Sequence, residues 1–172
     1  MVEDKVGLPS IEKLLELEKK ARKDGSGIND ESISGLWEFH SVWKQGSNKE
    51  NTISSTLLQV LSASLELKIN SKKAEDKIFT IINSIQFGLL TLKFIGSANL
   101  ERKQPLLLFS FDYILIKFSS FTIFKRSLPK PQLNKRPFFA LIALDIKGKW
   151  LSARGKGGGI ALWERSADPI QT

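Results

Sequence analysis

The chain has no cysteine and a single histidine among its 172 residues. Without cysteine there are no disulfides, thiolate metal sites or cysteine nucleophile, and a reducing compartment fits. No stretch reaches the roughly 20 mostly apolar residues that a membrane-spanning helix needs. The opening MVEDKVGLPSIEKLLELEKK also lacks the basic region and apolar run of a secretion signal. The expectation is a chain that neither spans a membrane nor is secreted. Paired carboxylates are missing as well. The acids are scattered, and only the isolated Asp112 sits inside an apolar segment, so no general acid–base pair is visible. No internal repeat is found.

What is present is an ordinary globular composition, 41% hydrophobic and 26% charged, at about the length of one domain. The net charge of +8 is unevenly placed. Residues 1–31 hold six basic and eight acidic side chains, so the rest of the chain carries all of the positive excess. A positive body favours anionic partners such as lipid headgroups or nucleic acid, although net charge also serves solubility alone.

From Pro9 to Lys23 the spacing predicts an amphipathic helix. Ser10 caps it, Glu12 suits its positive end, and Ile11, Leu14, Leu15, Glu18 and Ala21 form one mostly apolar face. Gly25 ends it, and the polar linker Asp24 to Glu31 leads to a body of different character. The division is 1–31 for helix and linker, 32–168 for the main domain and 169–172 for a tail.

After residue 33, Ile, Phe, Leu, Thr and Val recur in short runs broken by Gly, Asn, Pro and charged pairs, which is a β-rich pattern. Strands are expected near 35–44, 52–61, 63–70, 77–83, 86–95, 105–111, 112–124, 138–145, 149–154 and 159–165. Residues 52–61 fit helical spacing equally well, and neighbouring segments could form one bent strand. Strict alternation places Phe111, Tyr113, Leu115 and Lys117 on one face and Asp112, Ile114, Ile116 and Phe118 on the other. Apolar groups thus lie on both faces. About ten short strands without intervening helices favour a closed antiparallel β-barrel over a parallel α/β sheet.

His40 lies in GLWEFHSVW, where alternation puts Leu36, Glu38, His40 and Val42 on one face and Trp37, Phe39, Ser41 and Trp43 on the other. With no second histidine or cysteine beside it, His40 reads as structural or superficial. The glycine-rich run Arg154-Gly-Lys-Gly-Gly-Gly159 lacks the glycine and hydroxyl spacing of a phosphate-binding loop. Flanked by WLSA and IALW, it reads as a tight hairpin with Gly157 or Gly158 at positive φ. Lys125, Arg126, Lys130, Lys135 and Arg136 cluster in an acid-free, proline-containing stretch that reads as an exposed loop. They are candidates for contact with an anionic membrane. Phe138 and Phe139 follow the charges rather than interleave with them, which argues against a nucleic-acid surface.

Two segments carry a family signature. Ser34-Gly35-Leu36-Trp37 is a G-x-W motif that resembles the opening of lipocalins and other calycins. Trp150-Leu-Ser-Ala-Arg154-Gly-Lys-Gly-Gly-Gly-Ile-Ala-Leu-Trp163-Glu-Arg165 resembles the closing motif of the plastid lipid-associated (fibrillin) family. The resemblance covers roughly residues 10–166 and includes Phe94-Ile-Gly-Ser-Ala98. Gly35, Trp37, Arg154, Gly155, Gly157, Gly158 and Arg165 are its signature positions, all structural. The chain opens at the helix without a transit peptide, which resembles a cyanobacterial member or a processed plant form.

The resemblance implies a mostly β fold, a lipocalin-like antiparallel barrel with an N-terminal α-helix, and Trp37 buried as the plug of one end. By analogy with lipocalins, an arginine stacks on Trp37; Arg165 is placed for this and Arg154 is its rival. The family implies non-enzymatic binding of lipid, carotenoid or quinone near photosynthetic membranes or lipid globules, with no catalytic residue and no cofactor beyond such a ligand. The implied location is cytoplasmic or peripheral to thylakoids, or a plastid. Two other readings stay open. A calycin-type bilin lyase would hold a tetrapyrrole beside an inward Asp112 and an arginine. An interaction module would fill its interior with side chains.

Overall fold

The computed structural model describes residues 7–47, 49, 62–70, 78–101 and 105–167. Helix α1 spans Ile11–Asp24. The Ser10 side chain accepts a bond from the Lys13 amide (3.3 Å), and Gly25, at φ +82°, donates its N–H to Ala21 O (2.9 Å). Both ends are therefore stopped by the residues best suited to stop them. Ile11, Leu14, Glu18 and Ala21 are buried, one side of the helix at spacings of three and four. The linker is not all coil, because a capping box between Asn29 and Ser32 nucleates a one-turn helix α2, Asp30–Ile33.

Among the described residues nine strands follow: β1 (Gly35–Trp43), β2 (Ser64–Ile69), β3 (Ile78–Phe87), β4 (Leu90–Glu101), β5 (Leu106–Phe118), β6 (Phe121–Ser127), β7 (Phe138–Leu144), β8 (Trp150–Gly155) and β9 (Ile160–Arg165). All pairings are antiparallel, in the order β4-β3-β2-β1-β9-β8-β7-β5-β6. An additional β4–β5 pairing, running from Leu90↔Phe118 to Glu101↔Leu106, bends the sheet into a ring. The two neighbours β6 and β7 share one edge of β5. β6 takes Tyr113–Phe118 and β7 takes Leu106–Leu108. The ring therefore closes only low on β5. Its lower end holds the start of β1 and the β7–β8 turn. Its upper end holds the β3–β4, β5–β6 and β8–β9 turns.

The mostly β fold with one long leading helix matches expectation, and several boundaries do not. The expected break between 83 and 86 is absent, because the chain reverses at Gly88, which supplies φ +57°. The expected strand 112–124 is instead the end of β5, a turn at Ser119–Ser120 and most of β6. Ser119 adopts φ +55° there, a conformation that no Gly or Asn announces in FSSF. Residues 52–61 lie outside the described residues.

Strict alternation is broken by four register shifts among the described residues, at His40, Asp112, Ile123 and Ile142, the first two within the segments whose faces were assigned above. His40 is the extra residue of a bulge between Phe39↔Trp163 and Ser41↔Leu162, and Asp112 of one between Phe111↔Gly96 and Tyr113↔Ile95. Each bulge moves the following residues to the opposite face. Trp37 and Phe39 thus belong to the inner core, whereas Trp43 belongs to the outer cluster beneath α1. Phe111 shares the inner face with Ile114, Ile116 and Phe118, while Tyr113, Leu115 and Lys117 face outward.

The inner core packs Ile33, Trp37, Leu67, Phe79, Leu107 and Leu151 with neighbours from every side of the ring's lower half. A second core lies outside the sheet, where Ile11 and Leu14 of α1 cover Trp43, Ile142, Trp150 and Leu162. All eight strands of the ring contribute a residue to the inner cluster, which ties the ring together by burial as well as by hydrogen bonds.

Candidate functional site

At the lower end Trp37 is packed beneath Arg165. The Trp37 indole is fully buried and donates Nε1–H to Ile33 O (2.8 Å). The Arg165 guanidinium carbon lies 4.1 Å from the centroid of the Trp37 ring. This follows from register, since Trp37 and Arg165 are paired across β1 and β9. Arg165 donates from Nε to Gly148 O (2.7 Å), from Nη1 to Ser34 O (2.8 Å) and from Nη2 to Ser32 O (2.7 Å). One planar fork thereby joins the β7–β8 turn, the end of α2 and the start of β1. Burial lowers the Arg165 pKa. Gly35 has φ +143°, and a Cβ there would strike Arg165 Nη1. The glycine of the G-x-W motif thus makes room for this guanidinium.

Arg154 has a different task. It grips Glu18 of α1 through Nε–Oε1 and Nη2–Oε2, both 2.6 Å, and its Nη1 donates to Gly158 O. Glu18 also accepts from Arg22 (2.9 Å). The bond from Arg154 holds the Glu18 carboxyl below its ordinary pKa, and Glu18 raises that of Arg154. Residues 155–159 form the β8–β9 hairpin, closed by Gly155 N–H to Gly159 O (2.9 Å), with Gly158 at φ +85°. Gly157 does not take positive φ. No helix starts at Gly157, so the run lacks the helix N-terminus at which phosphate commonly binds.

The upper half of the ring is the candidate binding site. Register places Phe109, Phe111, Phe94, Ile114, Leu92 and Ile116 on the inner face, continuing upward from buried Phe79 and Ala98. Phe94 and Phe111 meet at 5.5 Å between ring centroids, and Phe109 and Phe111 at 5.4 Å. Above Phe109 these side chains are only half-buried. Gly96 opposes the Asp112 bulge, where a Cβ would collide with Ser110 O and Phe111 Cα. The FIGSA segment is therefore constrained by the bend of β5. An apolar surface of this kind offers burial without directional bonds, the chemistry suited to a hydrocarbon or ring guest. Outside the sheet, a separate groove of about 780 Å³ runs between α1 and β7, lined by Ala21, Phe138, Ile142 and the Glu18–Arg154 pair.

The remaining candidate residues lie elsewhere. His40 contacts Ser41 Oγ (2.7 Å) and Glu164 (3.5 Å). Asp112 is half-buried at the bulge, and among the described residues no arginine forms an ion pair with it. The five basic residues do not share one loop. Lys125 and Arg126 belong to β6, because FTIF folds back onto β5 and carries them into the sheet. Lys125 Nζ sits 4.7 Å from the Tyr113 ring centroid. Lys130 follows in coil, Lys135 ends a 3-10 turn, and half-buried Arg136 offers its carbonyl to Lys156 Nζ (3.2 Å). Sequence reasoning missed the exposed apolar tip beside these charges, whose only signal was Phe and Leu on both sides of two turns.

Among the described residues no group of three His, Asp or Glu side chains is placed to hold a metal, and no helix is long and apolar enough to cross a membrane. No protein-family model matches the chain, and no curated protein matches it.

Proposed function

We infer that this chain is a non-enzymatic binding or structural protein for apolar small molecules such as a lipid, carotenoid or quinone, built as a lipocalin-like barrel of the fibrillin type. The observation that carries the reading is the inner apolar face of β4 and β5, which continues past the packed core into half-buried Phe94, Ile114 and Ile116. A guest seated there would remove that surface from water at about 25 cal/mol per Å². The Gly35, Trp37 and Arg165 arrangement supports the kinship, since lipocalin analogy calls for an arginine on the G-x-W tryptophan. On this reading the protein works at thylakoid-type membranes or lipid globules. The lyase alternative draws no support from Asp112, which sits at a bulge without an arginine partner among the described residues. The packed lower core agrees with an interaction module, but it leaves the upper apolar face without a purpose.

Titration with the fluorescent apolar probe N-phenyl-1-naphthylamine tests the reading. Saturable enhancement at one site per chain is expected. Placing an amide on the inner face, as in Phe94→Gln or Ile116→Gln, should weaken it by about tenfold, since burying an unpaired amide costs at least ~1.4 kcal/mol. Leu115→Gln on the outer face should not. Absence of saturable binding, or equal loss in all three variants, contradicts the assignment.

A further inference from the structure

The β3–β4 and β5–β6 turns lie side by side at the upper end. Leu90 pairs with Phe118, and the Ser119 amide donates to Leu89 O (2.7 Å), so the two turns form one tip. This tip is unusually apolar for a surface. Phe87 is 65% exposed, Leu89 61%, Phe118 52% and Phe121 73%, and Leu90, Ile123 and Phe124 are exposed beside them. Contiguous apolar patches on soluble surfaces mark sites of interaction.

The charges around the tip identify the partner. Lys117 precedes Phe118, and Lys93 and Lys125 flank Leu115 on the two neighbouring strands, with Arg126 next along β6. Three residues of strand separate Leu115 from Phe118, about 10 Å at ~3.4 Å per residue. The basic groups thus form a collar set back from the apolar tip by roughly the 5–10 Å that interfacial side chains sink below the headgroups. No acid occurs from 78 to 100 or from 113 to 144. A second copy of the chain would bring like charge against like charge at this surface, whereas an anionic bilayer complements both the collar and the tip.

We propose that the paired turns of β3–β4 and β5–β6 dock this protein on anionic bilayers, with Phe87, Leu89, Phe118 and Phe121 entering the acyl boundary while Lys93, Lys117, Lys125 and Arg126 hold the headgroups. The device goes beyond the small-molecule reading and does not depend on it. Its side chains differ from Phe94 and Ile116, so either assignment can fail alone.

The test is sedimentation with vesicles of phosphatidylcholine, with and without phosphatidylglycerol, at low and high salt. The intact chain should bind the anionic vesicles, and high salt or neutral vesicles should weaken binding on the order of tenfold or more. Leu89→Ser/Phe121→Ser keeps the net charge and should lose binding to a similar degree, with its melting temperature and N-phenyl-1-naphthylamine titration unchanged, since neither side chain belongs to the inner face. Phe121→Trp supplies a depth reporter, because the four native tryptophans are buried. Its emission should shift to the blue and be quenched by brominated lipid. Wild-type binding by the serine variant, or a Phe121→Trp emission unmoved by vesicles, overturns the proposal. So does a chain that ignores vesicles and instead forms a dimer abolished by the serine substitutions.

Discussion

Trp37 spends its only N–H on Ile33 O and its ring face on Arg165, while all three Arg165 nitrogens reach backbone carbonyls. A guanidinium over an indole contributes about 0.5–2 kcal/mol, more as water is excluded. Truncation of the indole would remove a large fully buried side chain and this platform together. Trp37→Ala should destabilise the fold by about 3–5 kcal/mol in chemical denaturation. A folded variant with unchanged stability would contradict the role of the plug. The tryptophan was legible as half of a G-x-W motif. Which arginine covers it was not, because Arg154 and Arg165 are both near the end and only the β1–β9 register places one of them opposite Trp37.

Among the described residues, helix α1 is held by one polar anchor amid apolar contact. Its Ile11 and Leu14 side is sealed against Trp150 and Ile142, and Glu18 joins it to β8 through Arg154. Because the folded Glu18 pKa is lowered, its contribution is complete above the ordinary carboxylate value near ~4.3 and is lost as pH falls through the lowered value. Glu18→Gln should cost about 1–2 kcal/mol at neutral pH, because the pair is only partly buried and its charge-assisted bonds are partly screened by solvent. The gap between variant and wild type should narrow as pH drops below that range, measured by urea denaturation across pH. A gap independent of pH would assign the pair no electrostatic share. The helix was readable from capping and spacing. Strand faces were readable only up to His40 and Asp112, since a bulge adds a residue that period-two reasoning cannot count. Gly96 was the one local sign of the second bulge, legible only once its neighbour across the sheet is known.

Across the whole molecule, burial and charge are polarised along the same axis. The lower end holds fully buried Trp37 beneath its arginine, whereas the upper end carries half-buried inner faces and an exposed tip without acids. That polarity suits a protein that would meet an apolar guest at its upper end. Repeated short apolar runs revealed the β-rich architecture. The exposed tip stayed hidden because Phe118 and Phe121 read as ordinary strand residues until the Ser119 turn sets them on the outside. If the inner face holds an apolar molecule, native mass spectrometry of the protein isolated with its natural lipids should show a mass excess of one bound apolar molecule per chain, released by organic solvent and absent from the Phe94→Gln/Ile116→Gln variant. A bare chain mass, or an identical excess in that variant, would contradict that reading.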